Sequence, residues 1–187
     1  MTNKKYIIIQ VPVGSVNRGH LDVPHYRIKA LKSFGAVAEG DLGGLVYSEL
    51  NLSHDGNAWI TENAVVSEDA WVYGNAVVSG NARVAGNAKI SANAVITGNS
   101  WVSGHALVTA NAKVSGNALV YGIAKIGGHA VVSGDTEVSD YAVITGNAKV
   151  SGRASVSGTA RVTDDASVSG NARITANAWI NRCVSVV

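Results

Sequence analysis

From residue 60 to residue 186 every sixth position is a β-branched aliphatic residue, Val or Ile, without an insertion or a slip. Two residues before each stands a small one, Ala in 19 of the 22 units and Ser100, Thr136 or Val184 in the others. Inward positions two apart are the alternation of a short strand, so the small residue and the aliphatic point in while their neighbours point out. The step between strands is typically Gly-Asn, as in Gly80-Asn81-Ala82-Arg83-Val84-Ala85. Gly enters left-handed backbone freely and Asn tolerates it better than most residues, so the chain turns a corner after every strand. Residues 56–187 therefore read as one array of 22 hexads. Residues 1–55 break the register and read as an N-terminal cap, with a strand over Tyr6–Val11.

A six-residue period is the mark of a parallel β-helix. The Val-x-Gly-Asn-Ala-x pattern resembles the hexapeptide-repeat superfamily of left-handed β-helices, in which three hexads close one triangular coil. Residues 40–66, from Gly40-Asp41-Leu42-Gly43-Gly44-Leu45-Val46 through Asn51-Leu52-Ser53 to Gly56-Asn57-Ala58-Trp59-Ile60 and Glu62-Asn63-Ala64, resemble the lead-in of its YdcK-like subgroup. The expected fold is all-β, a single-stranded left-handed solenoid of about seven coils, roughly 34 Å long at the ~4.8 Å spacing of paired strands. A narrow interior of Ala and Val fits a chain with one Phe and one Met. The pattern stays in phase to Val186-Val187, which leaves an open strand edge that invites pairing with another chain unless the chain continues.

Charge is balanced, 15 Lys plus Arg against 13 Asp plus Glu, and 9 against 8 within the hexads. Strong attraction to nucleic acid is not expected from that balance. No apolar run approaches a membrane span and no leader pattern follows Met1, so a cytoplasmic protein is expected. Cys183 is the single cysteine and excludes an internal disulfide framework.

The position just before each aliphatic, read in steps of 18, stacks along one side of the prism. The first column holds Trp59, Val77, Val95, Lys113, Val131, Lys149 and Ser167; the second holds Val65, Arg83, Trp101, Leu119, Glu137, Ser155 and Arg173. The third holds Trp71, Lys89, Leu107, Lys125, Val143, Arg161 and Trp179. All four tryptophans face out in this reading, which points to a subunit or partner interface made by Trp59, Val77 and Val95 first, with Trp71, Trp101, Leu107 and Trp179 as further contacts. Lys89, Lys125 and Arg161, two coils apart and flanked by tryptophans, could alternatively track an anionic polymer.

Catalysis would fall to the histidines, since the resemblance extends to CoA-dependent acyltransferases that use a His as general base. His105 and His129 occupy Asn corner positions 24 residues apart, hence different corners of one chain, and only assembly of several chains would bring them together. The hexads lack the extruded loop and the C-terminal helix of those enzymes, and no acid is spaced to orient either histidine. His20 and His25 lie in the cap and His54 at its end; no metal site is expected, because zinc needs three converging ligands. Gly40-Asp41-Leu42-Gly43-Gly44 reads as a turn rather than a phosphate loop, as it lacks a Lys-Ser/Thr. The preferred reading is a non-catalytic scaffold, self-associating (as a trimer, by the resemblance) or binding another protein, and a phage accessory or anti-defence inhibitor is one form of it. An acyltransferase with acetyl-CoA bound between subunits, and a small-ligand binder at that cleft, are the alternatives; the scaffold needs no cofactor.

Overall fold

The computed structural model describes residues 4–11, 26–182 and 184–187. Three strands lead in, β1 (Tyr6–Gln10), β2 (Tyr26–Ala30) and β3 (Leu42–Val46), followed by a short 3-10 turn at Glu49–Asn51 and a run of two-residue strands from Trp59–Ile60 to Ser185–Val186. Each short strand falls on an outward residue plus its aliphatic, as the alternation predicts. Strands 18 residues apart pair in parallel and in register, Trp101 on Leu119 and Val102 on Val120, for example. The result is the all-β left-handed parallel β-helix, with three flat faces. The first face holds eight strands from Trp59–Ile60 to Ser185–Val186, and the third holds seven from Trp71–Val72 to Trp179–Ile180. The second runs from Val65–Val66 to Arg173–Ile174 and is extended at its head by β3, β2 and β1 to ten strands.

Counted with the lead-in, the solenoid makes about eight turns, the hexads supplying the expected seven or so. The additional turn comes from residues without the hexad pattern. β3 pairs in parallel with Val65–Val66 on the second face, and Leu52 bridges Val72 on the third. At this junction the backbones approach closely: a Cβ on Gly43 would stand 2.5 Å from both Ile28 Cγ1 and the Ile60 carbonyl oxygen, so the Gly43-Gly44 step exists for packing.

The core is the predicted ladder. Ala58, Ile60, Ala64, Val66 and their successors are shut off from solvent through to Val168, and burial loosens progressively from Ala172 and Ile174 through half-buried Ala178 and Ile180 to exposed Val184. Coil is tied to coil by main-chain bonds such as Val95 N to Ala112 O (3.0 Å), Thr97 N to Val114 O (2.9 Å) and Asn99 N to Gly116 O (2.8 Å). The corner residue preceding the Asn slot sits in the left-handed region whether it is Gly or not. Space as well as conformation favours Gly there, since a Cβ on Gly146 would come within 2.5 Å of the Asp164 nitrogen in the next coil. Two of the four acids in the slot bond to the next coil: Glu68 accepts from the Gly86 N–H (2.7 Å) and Asp140 from the Gly158 N–H (2.9 Å). Among the described residues no helix is long and apolar enough to cross a membrane.

Candidate functional site

Of the four tryptophans, one is covered by the chain itself. Trp59 projects from the first face but is only 4% exposed, because Phe34 packs edge-on at 5.3 Å and Tyr6 at 6.2 Å between ring centroids. The expectation of four tryptophans open to solvent is corrected at this point: the cap folds over the head of the first face and takes the first place in the Trp59–Val77–Val95 column. Val77 and Val95 below it are half-buried.

The other three are open. Trp71 is 41% exposed and stacks on Tyr73 at 4.2 Å; Trp101 is 47% exposed; Trp179 is 65% exposed and donates its indole N–H to Thr163 Oγ1 at 3.1 Å. Leu107 lies half-buried between Lys89 and Lys125, and all three cations of that column, Lys89, Lys125 and Arg161, are exposed.

A cluster of exposed apolar side chains surrounds Trp101. Leu119 lies beneath it in register, and Leu119, Tyr121 and Ile123 follow on alternate outward positions of one coil, with Tyr141 one coil below Ile123. All five are exposed, Tyr141 to 59%. They run from the second face around the corner toward the third. Beside Trp101 a hollow of about 320 Å³ is lined by Asn81, Arg83, Asn99 and Leu119. The Tyr121 hydroxyl donates to the Glu137 carboxylate, which holds the ring against the face and keeps its proton above the usual tyrosine range. Reading only the position before each aliphatic finds Trp101 and Leu119 but misses Tyr121, Ile123 and Tyr141. Those three depart from the hexad consensus, a Tyr in a Ser slot and an Ile and a Tyr in Asn slots, and that departure is the sequence sign of the patch.

The histidines fall where their spacing puts them. His105 and His129 are exposed at two different corners. His129 continues a ladder of corner amides, Asn57 to Asn75 to Asn93 to Asn111, and its Nε2 lies 3.5 Å from the Asn111 amide nitrogen. A parallel ladder runs Asn63, Asn81, Asn99, Asn117 and ends on the Asp135 carboxylate at 2.7 Å. Among the described residues no acid bonds to either imidazole. His20, His25 and Cys183 lie outside the described residues, and among those described no group of three metal-ligating side chains gathers.

His54 is part of the cap's docking. Its Nδ1 accepts from the Lys5 main-chain N–H (3.2 Å), so Nε2 carries the proton and donates to Glu49 (2.9 Å), and its ring stacks on Tyr6 at 4.3 Å. With both nitrogens engaged it is a strut rather than a base. Lys4, bonded to Glu49 at 2.6 Å, and then His54 hold the Glu49 carboxyl below its ordinary range. Tyr6 donates to the Leu52 carbonyl (2.6 Å), with the Glu49 carbonyl at 2.9 Å, and burial pushes its ionisation well above the usual value. Lys5 is buried, donating to the carbonyls of Ala58 (2.9 Å) and Gly56 (3.3 Å) under the Phe34 ring at 4.8 Å. Burial lowers its pKa to about 8 despite the nearby Asp55. Outside this cluster a groove of about 600 Å³ opens between the cap and the third face, edged by Leu50, Asp55, Asp69, Trp71 and Lys89. In comparison with known proteins, no family model matches the chain and no curated protein does.

Proposed function

We propose that this chain is a non-catalytic interaction scaffold, a rigid β-helix whose sides bind other protein surfaces, its own copies first. One observation carries the reading: Trp101, Leu119, Tyr121, Ile123 and Tyr141 form an exposed cluster of aromatic and aliphatic side chains that runs from the second face around its corner toward the third. Monomeric proteins rarely leave such patches open unless something covers them. Trp101 and Leu119 stand on paired strands, and side chains held by so regular a backbone lose little freedom on binding. The reading is supported by the resemblance of residues 40–66 to the lead-in of YdcK-like hexapeptide proteins, and a trimer is the assembly that resemblance implies. The single cysteine suits a reducing cytoplasm.

The test is the mass in solution by light scattering after size exclusion. The wild type is expected as a homo-oligomer, and Ile123→Glu or Leu119→Glu, both at exposed positions, is expected to reduce it to a folded monomer. A wild-type monomer, or an oligomer indifferent to both changes, overturns the choice of surface. Adding millimolar acetyl-CoA is expected to leave the melting temperature unchanged. A stabilisation that His105→Ala or His129→Ala removes would replace the scaffold with an acyltransferase.

A further inference from the structure

Charge on the solenoid is sorted by position. Its acids gather at the corners, Glu62, Glu68, Asp69, Asp135, Asp140, Asp164 and Asp165, with Glu137 alone on a strand, whereas most cations stand on the flat faces. The third face goes furthest: its strands and the outward residues after them carry Lys89, Lys125 and Arg161 and no carboxylate. None of the three has an ion-pair partner among the described residues.

The three cations are in one register. Lys89 pairs with Leu107, Leu107 with Lys125, Lys125 with Val143, and Val143 with Arg161, so a positive group recurs on every second coil with an apolar side chain between. At the spacing of paired strands the repeat is roughly 10 Å. An indole stands at each end, Trp71 next to Lys89 and Trp179 next to Arg161, and both are braced, one by stacking on Tyr73 and the other by its bond to Thr163. The strip is thus a straight row of evenly spaced cations between two fixed aromatic platforms.

We propose that this face binds a linear acidic polysaccharide carrying one carboxylate per disaccharide, laid along the solenoid axis. The charge spacing decides between polymers. Nucleic acid carries its phosphates more densely, about every 3.4 Å along each strand of a duplex, so each 10 Å step would bring more than one phosphate to each cation and set the surplus against acidic corners. A polysaccharide charged on alternate sugars repeats on about the length of two coils and meets one cation per repeat. Its sugar faces rest on Leu107, Val143 and the two indoles, which offer flat apolar contact. The strip lies on the third face, next to the corner that the Trp101 surface reaches at Ile123 and Tyr141, and its residues are not those of the self-association proposed there.

The test titrates the protein with a hyaluronan dodecasaccharide, which has this charge spacing, and follows tryptophan fluorescence and calorimetry. Binding is expected, weakened at least tenfold by Lys125→Glu and at least fivefold by Trp179→Ala. The same charge reversal on the first face, Lys113→Glu, is expected to change affinity less than twofold. Oligo(dT) and polygalacturonate, which is charged on every sugar, are expected to bind more weakly. Absence of hyaluronan binding overturns the proposal, as does an equal loss with Lys113→Glu or tighter binding of either denser polymer. Circular dichroism verifies folding, and Lys125→Gln supplies the same readout if the charge reversal perturbs the coil.

Discussion

The left-handed corner is where single residues decide stability. Ala92 and Ala110 hold φ of 55° and 60° in slots that Gly fills in most coils. A Cβ in that region costs an L-residue about 1–2 kcal/mol, while Gly adopts it without strain. Ala92→Gly is therefore expected to raise stability by about 1 kcal/mol in urea unfolding, part of the gain being offset by the freedom of Gly in the unfolded chain. Lys5 gives a second prediction, in pH. Its pKa falls from the ordinary 10.5 to about 8 on folding, so between those values the unfolded chain holds more protons and stability rises with pH, by up to about 3 kcal/mol. Tyr6 acts with the opposite sign: its raised pKa means that above about pH 10 the unfolded chain loses the proton first, and stability falls. The urea midpoint is expected to climb from pH 8 to near 10 and then decline, and Lys5→Met is expected to flatten the climb. The corner slots were legible in the sequence because they repeat. Lys5 was not, since its partners, the carbonyls of Gly56 and Ala58, lie some fifty residues away and outside any pattern.

At the scale of the element, the corner asparagines do two things that the sequence does not separate. Turn tolerance is common to all of them, but only some are linked. Asn99 accepts from Asn81 and donates to Asn117, both at 3.0 Å, whereas Asn87 occupies the same slot on another corner, above His105 and outside either ladder. If the ladder contributes beyond the turn, Asn99→Ala costs about 1 kcal/mol more than Asn87→Ala, the scale of the hydrogen bonds it removes; equal costs would reduce the asparagines to turn formers. The strand pattern itself was fully readable, because a narrow interior takes a small residue, mostly Ala, and a β-branched partner at a fixed spacing. Three features escaped it for one reason, that the deciding residues stand outside the pattern. The eighth turn is built from β3 and Leu52, the cover over Trp59 comes from Tyr6 and Phe34, and the apolar patch depends on Tyr121, Ile123 and Tyr141 in slots reserved for small or amide side chains.

For the molecule as a whole, the two periods in the sequence separate fold from surface. The inward ladder repeats every six residues, so any hexad can replace the next without disturbing the core. The faces repeat every eighteen, so which residues share a side depends on the count of hexads between them. Because stability in a solenoid is nearly a sum of neighbour terms, removing whole units lowers it without abolishing the fold. Deletion of residues 145–162, one full coil, is expected to leave a shorter folded rod with Trp179 still on the face of Lys89 and Lys125. Deletion of residues 145–150, a single hexad, removes less chain and keeps every later Ala and Val inside, yet it turns all that follows by one face, moving Arg161 and Trp179 off the third face onto the second. Circular dichroism melts are expected to rank the hexad deletion as the milder lesion, and accessibility of Trp179 to a quencher confined near Lys125, by a spin label at residue 127, to rank it as the more severe. If a single-hexad deletion unfolds the rod, the corners are not interchangeable, and their side-chain ladders carry more of the fold than the Ala and Val interior.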